Sequence, residues 1–528
     1  MIYYYLRDGS VRKAVEVAQD QRELGLWRAT ALWCEGCSGA VSREREAIRE
    51  AEAVAEMGGR DYLFAANAAA SYFHERAQYP DMECVRKFQD RAMQEQQGAS
   101  EDAKVTCGFF FLFVGERDRA RQIADTLSRN RVTATFLAWT RYEEAVADSR
   151  RQGSAGATAV GKEALRECTA LLDEFVIGEQ GRELRISQLD GLMLKAKLME
   201  LSKNWAAAVE FLNQAIVYFP WYQPAIAERG RVQMASGDWD QALETCARLE
   251  EQAGGPTVDS LKIQLLHLVT RGGTGGGGSV VETTVSKLEQ LLRILAQREP
   301  FNGRMLMENV QLFSRLAGRN PRILRVTHHA MQTFVENLQT GQKETSAYVT
   351  ELGQQFLLVE DYKRAGEAFQ KASSRNDADL NALLGLIQCR IAEGHVDDAA
   401  EQLEFLRETQ ASFGRSSRSS YLGALVAQGR KQATALQLLN EALTVHISDF
   451  RTSIGYEFYA RLDADYMMCI SNEYIASANV SAGTSSKKGG SQVTRALQVL
   501  ETLSKFLPGS LSVQIALAKG KLTSGAVD

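Results

Sequence analysis

The chain has 528 residues, of which 45% are apolar and 24% charged, as is typical of a folded rather than a disordered protein. A net charge of −5 argues against a broadly basic, nucleic-acid-binding surface. No segment approaches the roughly 18 uncharged apolar residues of a membrane span, and the N-terminus has no secretory-signal pattern. Eight scattered cysteines favour reduced thiols over a disulfide framework, and only seven prolines leave room for long helices.

Small and large apolar residues recur along the chain at the spacing of paired helices. In chain order they stand at Tyr5 and Ala14; Gly108, Phe111, Ala120 and Ala124; Ala196, Ala208, Ala215 and Pro220; Gly230 and Ala242; Gly353, Phe356, Ala365, Phe369 and Ala372; Leu386, Ala399 and Leu403; Gly423, Val426, Ala435, Leu439 and Ala442; and Ala496, Leu500, Leu503 and Pro508. Small residues let two helices approach closely, and larger ones a turn away fill the remaining space.

The period of this pattern identifies the repeat. The pair Asn204-Trp205 in the segment 189–222 recurs as Asp238-Trp239. This spacing of about 34 residues is the period of the tetratricopeptide repeat (TPR). The two tryptophans follow the turn between helices, where packing and partner contact are equally suitable roles. We therefore expect an all-α, TPR superhelical solenoid of antiparallel helix pairs, rather than a generic bundle of amphipathic helices.

Three stretches interrupt the helical pattern: the glycine-rich tract Gly272–Ser279, the segment Ser481–Ser491 and the weaker region 147–160. The glycine tract suits either an engineered linker or a natural loop insertion. The predicted organisation is an N-terminal TPR array over 1–271, a flexible loop over 272–279, a second TPR stretch over 280–480, a disordered loop over 481–491, and further TPR helices over 492–528.

The last segment, Ile515–Asp528, resembles the first helix of a repeat and its turn, without a second helix. A solenoid normally closes with a polar capping helix. We therefore expect the array to be truncated here and the chain to be the N-terminal part of a longer one.

Signals for catalysis, a cofactor or a metal are weak, and we predict none of these. The glycine tract is followed by Val-Val-Glu rather than the Lys-Ser/Thr of a phosphate loop. Cys34 and Cys37 form a lone CxxC without the second ligand pair that zinc requires. His328 and His329 are neighbours in a helical stretch and point in different directions, so they do not easily share a metal.

A partner is expected to bind along the first helices of the repeats, which line the concave face of a TPR superhelix. Lys197 and Arg231 occupy equivalent positions there, as do Gln354 and Gln388, each pair one repeat period apart. Long polar side chains in a row could hold an extended peptide or a helix. The alternative is that each of them belongs to a solvated helix face.

Several stretches resemble the tetratricopeptide repeat protein twenty-one family, most specifically Leu383–Ser417 and also Ile454–Met468. The resemblance extends in register along the whole chain but is strong only in patches. It implies a TPR-only subunit of intraflagellar transport complex A, longer than this chain, whose partners are other complex A subunits built of WD40 propellers and TPRs.

From this resemblance we expect a non-catalytic scaffold that supports retrograde transport in cilia and flagella, cilium assembly and ciliary entry of membrane proteins. It would act in the cytoplasm, axoneme and basal body, with neighbouring transport trains as further contacts, and without binding nucleic acid or inserting into membranes. The alternative is a peptide-recognition TPR adaptor of the cochaperone kind. That adaptor needs a basic cluster over three consecutive repeats, for which the sequence offers only Lys197 and Arg231. A catalytic protein with TPR scaffolding would need a non-repeat domain, and the irregular stretches are too short for one.

Overall fold

The computed structural model describes residues 1–19, 24–37, 41–57, 60–96, 98–152, 159–177, 188–272, 277–338, 344–409, 416–451, 453–482 and 486–524. Within these ranges the regular structure is helical throughout, without a β-strand. The chain divides into two compact units, the first comprising Met1–Ser260 with Ile294–Asn302 and the second Leu261–Arg293 with Gly303–Asp528.

The first unit is a stack of helices in which most successive helices pack against each other. Its helices are α1 Ile2–Asp8, α2 Val11–Ala18, α3 Gly25–Cys37, α4 Val41–Met57, α5 Arg60–Arg76, α6 Met82–Gln96, α7 Glu101–Phe113, α8 Arg117–Ala124, α9 Ala134–Gln152, α10 Ala159–Leu172, α11 Leu189–Leu201, α12 Trp205–Tyr218, α13 Gln223–Ser236 and α14 Trp239–Ala253. A π-helical turn, Asp173–Ile177, continues α10.

The second unit has the same construction, and alternate helices such as α19 and α21 also contact each other. Its helices, with the two that have residues in both units given first, are α15 Val258–Arg271, α16 Gly277–Arg298, α17 Gly303–Leu316, α18 Pro321–Asn337, α19 Glu344–Leu358, α20 Tyr362–Arg375, α21 Leu380–Ala392, α22 Val396–Thr409, α23 Ser417–Gly429, α24 Ala435–Arg451, α25 Gly455–Leu462, α26 Ala464–Ala482, α27 Ser486–Phe506 and α28 Leu511–Ser524. The all-α solenoid of helix pairs expected from the sequence is confirmed.

The positions predicted to pack the helices are mostly buried. Ala208, Ala215 and Ala242 are fully inaccessible to solvent. The ring of Phe369 on α20 is also fully buried, against Gly353 on α19 and Gly385 on α21. A Cβ added at Gly353 would come within 2.6 Å of this ring, and one at Gly385 within 2.5 Å. The absence of a side chain at both positions therefore lets a single aromatic ring join three helices.

The turn between the two helices of a pair has the same backbone geometry in many repeats. Lys203, Gly237, Glu360, Gly394 and Lys431 each follow the first helix and have φ between 55° and 88°. At each turn the next amide donates back to a carbonyl five residues earlier, at N···O distances of 2.7 to 3.0 Å. This is the Schellman arrangement that satisfies the last carbonyls of a helix.

An N-cap follows directly and starts the second helix. The side chains of Asn204, Asp238 and Asp361 each accept a hydrogen bond from the amide three residues later. The tryptophan after two of these caps is mainly a packing residue, because Trp239 is buried and Trp205 half-buried. The polar–aromatic pair recognised in the sequence is thus the start signal of the second helix.

The predicted interruptions are shorter in the structure than in the sequence pattern. Of Gly272–Ser279, residues 273–276 lie outside the described residues, and α16 already begins at Gly277. Of Ser481–Ser491, residues 483–485 lie outside them, and Ser486 begins α27. In the region 147–160, helix continues to Gln152 and resumes at Ala159. Glycine costs only about 1 kcal/mol in a helix, so composition alone overestimates the length of a loop.

No described helix combines the length and the hydropathy that crossing a bilayer requires. The last described helix, α28, ends at Ser524, and residues 525–528 lie outside the described part of the chain.

Two glycine-to-alanine substitutions, one in the repeated turn and one inside a helix, should have opposite effects on the free energy of unfolding. Gly237 has φ 87° and Gly366 lies inside α20, and a Cβ at either would meet nothing within 4 Å outside its local backbone. Gly237→Ala should lower the free energy of unfolding by about 1 kcal/mol through left-handed backbone strain. Gly366→Ala should raise it by up to about 1 kcal/mol through helix propensity. Urea unfolding followed by far-UV circular dichroism measures both, and a shift in the same direction for the two variants would contradict the assignment of the turn.

Candidate functional site

Lys197 and Arg231 lie on consecutive first helices, α11 and α13, and both pair with glutamates. Lys197 Nζ donates to Glu228 Oε1 at 2.9 Å. Arg231 donates through Nε to Glu228 at 2.7 Å and through both terminal nitrogens to Glu200 at 3.0 and 2.7 Å. We call these four residues the α11–α13 ion cluster.

The carboxylates of this cluster are buried, and their cationic partners are partly exposed. The side chains of Glu200 and Glu228 are only 4% and 8% exposed, against 24% for Lys197 and 21% for Arg231. Burial alone would raise the pKa of Glu228, but Arg231 and Lys197 outweigh it and hold this pKa at about 2. The two glutamates in turn raise the pKa of Arg231 despite its own burial. Glu228 and Arg231 therefore stay charged and paired with each other at neutral pH.

A signal for these pairs exists in the sequence but is easily missed. The order of charges is reversed between the two repeats, with Lys197 before Glu200 in one and Glu228 before Arg231 in the next. When α11 and α13 pack side by side, Lys197 therefore lies next to Glu228, and Arg231 lies next to Glu200. The two cations already bind partners within the chain, and their role in binding another protein stays a prediction.

Gln354 and Gln388 are brought together in the second unit. Gln354 on α19 and Gln388 on α21 line one pocket of about 60 Å³, together with residues of α17, α23 and α26. Both side chains are half-buried, and no hydrogen bond joins either amide to another residue in the described part of the chain. An amide offers two donors and one acceptor oxygen, so this pocket carries unused hydrogen-bonding groups.

Three arginines surround the two amides, and each is paired with a carboxylate. Arg315 binds Glu351 through two hydrogen bonds of 2.8 and 2.9 Å. Arg319 binds Asp465 at 2.7 and 3.4 Å. Arg418 lies 3.7 Å from Asp463. The pocket is therefore polar but has no unbalanced cation among these three, and it does not resemble an anion-binding site.

Two of these pocket residues have unusual backbone conformations. Arg319 follows α17 with φ 58° and Asp463 follows α25 with φ 39°. A residue other than glycine adopts this region at a cost of order 1–2 kcal/mol. Here the paired side chains, Arg319 with Asp465 and Asp463 with Arg418, hold these helix ends in place. Sequence reasoning did not find either residue, because their partners lie on distant helices.

The thiol at the edge of the pocket is not reactive. Burial and the charge of Asp465 raise the pKa of Cys469 to about 12, so the thiol stays protonated at neutral pH. Tyr466 is held by its hydroxyl, which donates to the carbonyl of Ser417 at 2.9 Å, and its ring packs edge-on against Tyr421. The arrangement suits hydrogen bonding and packing with a partner.

The cysteine pair and the histidine pair considered in the sequence lie in helices. Cys34 and Cys37 are on α3, and burial raises the pKa of Cys34 to about 12. His328 on α18 packs against the ring of Phe356 at a centroid distance of 4.6 Å. Burial lowers the pKa of His328, which favours a neutral packing residue.

The α11–α13 ion cluster predicts a large effect of a single isosteric change. Glu228→Gln leaves Lys197 without its partner in a buried site and should lower the free energy of unfolding by about 3 kcal/mol. The matched control is Glu244→Gln, which removes an exposed ion pair with Arg248 and should cost less than about 0.5 kcal/mol. Equal effects of the two substitutions on the urea midpoint would contradict a buried cluster.

The same cluster predicts that the free energy of unfolding falls as the pH is lowered into the acidic range. The pKa of Glu228 lies below its ordinary value of 4.5 in the folded chain, at about 2. Its stabilising contribution should therefore be complete above about pH 4.5 and should be lost as the pH falls towards about 2. The difference in unfolding free energy between the wild type and Glu228→Gln should narrow over this window. A difference that stays constant from neutral pH to about pH 3 would contradict the shifted pKa.

Comparison with known proteins gives the family of the chain. The family model described as the N-terminal ARM repeat of tetratricopeptide repeat protein 21 matches residues 2–243, and the model of its second ARM domain matches residues 286–528. Human tetratricopeptide repeat protein 21B is 30% identical over 493 residues, covering 92% of this chain and 35% of the relative. Mouse tetratricopeptide repeat protein 21A is 26% identical over 489 residues, covering 90% and 35%.

Solved structures align less closely. The human IFIT1 dimer with PPP-AAAA has a TM-score of 0.40 and 12% identity, covering 84% of this chain and 94% of that one. The complex of Naa15/Naa10 bound to HypK-THB has a TM-score of 0.28 and 10% identity, covering 99% and 91%. The chain spans about a third of the length of the curated relatives, at 35% of each. With both family models in register along the sequence, the chain belongs to the tetratricopeptide repeat protein 21 family.

Proposed function

We propose that this chain is a non-catalytic, protein-binding scaffold of intraflagellar transport complex A. In this role it supports retrograde transport in cilia and flagella, cilium assembly and ciliary entry of membrane proteins. Its partners are complex A subunits built of WD40 propellers and TPRs, with neighbouring trains as further contacts, and it acts in the cytoplasm, the axoneme and the basal body. The observation that carries the proposal is membership of the tetratricopeptide repeat protein 21 family along almost the whole chain.

The structure supports a scaffold through its surfaces. The pocket of the second unit combines the amides of Gln354 and Gln388, which have no hydrogen-bond partner among the described residues, with the half-buried ring of Tyr466. Amides with unused donors and acceptors discriminate between partners, because a partner that leaves them unpaired on burial loses free energy. Aromatic rings beside them provide contact area at low entropic cost.

The cochaperone alternative is disfavoured by one observation. A clamp for a C-terminal carboxylate needs cations that are available to the peptide. Lys197 and Arg231 instead bind Glu228 and Glu200, both of which are nearly fully buried. Binding a peptide carboxylate there would require breaking buried ion pairs.

Affinity purification tests the proposal and the pocket together. The tagged full-length protein is recovered from ciliated or flagellated cells that make it, in three forms: the wild type, Gln354→Ala with Gln388→Ala, and Gln370→Ala with Gln402→Ala. The control glutamines lie on α20 and α22, the second helices of the same repeats, and do not line the pocket. Mass spectrometry identifies the co-purifying proteins.

We expect the wild type and the control to recover complex A subunits. The pocket variant should lose a subunit by roughly tenfold or more, because two hydrogen bonds contribute about 1 kcal/mol each. Recovery of chaperones in place of transport subunits would overturn the scaffold proposal. Equal recovery by all three forms would leave the family role standing and reject this pocket as the contact.

A further inference from the structure

Three side chains of different chemistry meet where α4, α5 and α6 pack in the first unit. Glu52 lies on α4, His74 in the last turn of α5 and Cys84 in the first turn of α6. One ligand atom from each lies within 4.8 Å of the others, and His74 Nε2 is 2.9 Å from Glu52 Oε1. The three residues come from separate helices, so the folded chain creates the cluster and no short motif reveals it.

The histidine is held rigidly. His74 is 9% exposed, and its ring stacks on Phe88 at a centroid distance of 5.9 Å and an interplanar angle of 11°. Glu52 and Cys84 are half-buried, so the cluster can be reached from solvent. A fixed imidazole with two partly accessible neighbours is an arrangement that can take up a small ligand without unfolding the helices.

Asp81 supports the cysteine from outside this triad. Its carboxylate accepts hydrogen bonds from the amides of Glu83 and Cys84, both at 3.1 Å, which fixes the start of α6. The backbone of Cys84 is thereby held in place beside Glu52 and His74.

Two carboxylates lie close to Cys84, that of Glu52 within the triad and that of Asp81 at the start of α6. A dication at the centre of the cluster would offset their negative charges.

We propose that Glu52, His74 and Cys84 bind one Zn²⁺ ion. Zinc accepts carboxylate oxygen, imidazole nitrogen and thiolate sulfur in one tetrahedral site, whereas Mg²⁺ and Ca²⁺ favour all-oxygen sites. Three protein ligands leave the fourth position to water. On binding, the thiol of Cys84 releases its proton to solvent. The His74 ring takes the tautomer with its proton on Nδ1, so that Nε2 no longer donates to Glu52 and gives its lone pair to the metal.

The alternative is a simple hydrogen bond between His74 and Glu52, in which Cys84 has no part. Zinc content distinguishes the two. The full chain is loaded with zinc, dialysed against metal-free buffer and analysed by inductively coupled plasma mass spectrometry, in the wild type, Cys84→Ser, His74→Gln and Cys37→Ser. Cys37 is an exposed cysteine of the CxxC motif on α3 and serves as the matched control.

We expect about one zinc ion per chain in the wild type and in Cys37→Ser after dialysis. Cys84→Ser and His74→Gln should retain at least about tenfold less zinc, because each lacks one ligand. Cobalt(II) should give a thiolate charge-transfer absorption in the wild type that Cys84→Ser lacks. Circular dichroism checks that each variant is folded. Since Cys84 is only half-buried, Cys84→Ser remains informative if His74→Gln does not fold.

Three results would overturn the site. They are a wild type that retains no zinc, a folded Cys84→Ser that retains as much zinc as the wild type, or a Cys37→Ser that loses it. The last result would place the metal at the CxxC motif instead. None of these outcomes bears on the proposed scaffold role.

Discussion

Close approach between helix backbones governs the packing of the second unit, and Phe369 shows how it is achieved. Its ring fills the space between Gly353 on the preceding helix, α19, and Gly385 on the following helix, α21. A helix pair cannot bury its apolar face alone, so each such contact joins one repeat to the next. The pocket lined by Gln354 and Gln388 lies on the same two helices, α19 and α21, that this ring holds together.

The sequence predicted this architecture where the period is regular. The two successive repeats formed by α11 to α14 have their small residues buried, as the pattern indicated. Their second helices are capped by Asn204 and Asp238, the polar residues of the recurring pair. Prediction of the loops was less accurate, because glycine and serine mark a preference for loop but do not prevent a helix from starting. The helix starts at Gly277 and Ser486 are of this kind.

The candidate pocket was only partly predictable. The left-handed turn residues Arg319, Glu360, Gly394 and Lys431 are unevenly spaced along the chain, so the period is irregular in the second unit. Gln354 and Gln388 fall in the regular part and were found, whereas the arginine–aspartate pairs around them were not. These pairs join residues as far apart as Arg319 and Asp465, and periodicity within one repeat carries no information about such contacts. The zinc-ligand candidates Glu52, His74 and Cys84 escaped prediction for the same reason, since each comes from a different helix.

Neutralisation of the α11–α13 ion cluster has a consequence for how proteins meet this surface. A surface with unpaired cations attracts acidic partners over a Debye length of about 8 Å at physiological ionic strength. Here Lys197 and Arg231 are balanced by Glu228 and Glu200 at hydrogen-bonding distance, so their fields largely cancel beyond the surface. Association at this face would then depend on shape and short-range contacts, with little electrostatic acceleration and little sensitivity to salt.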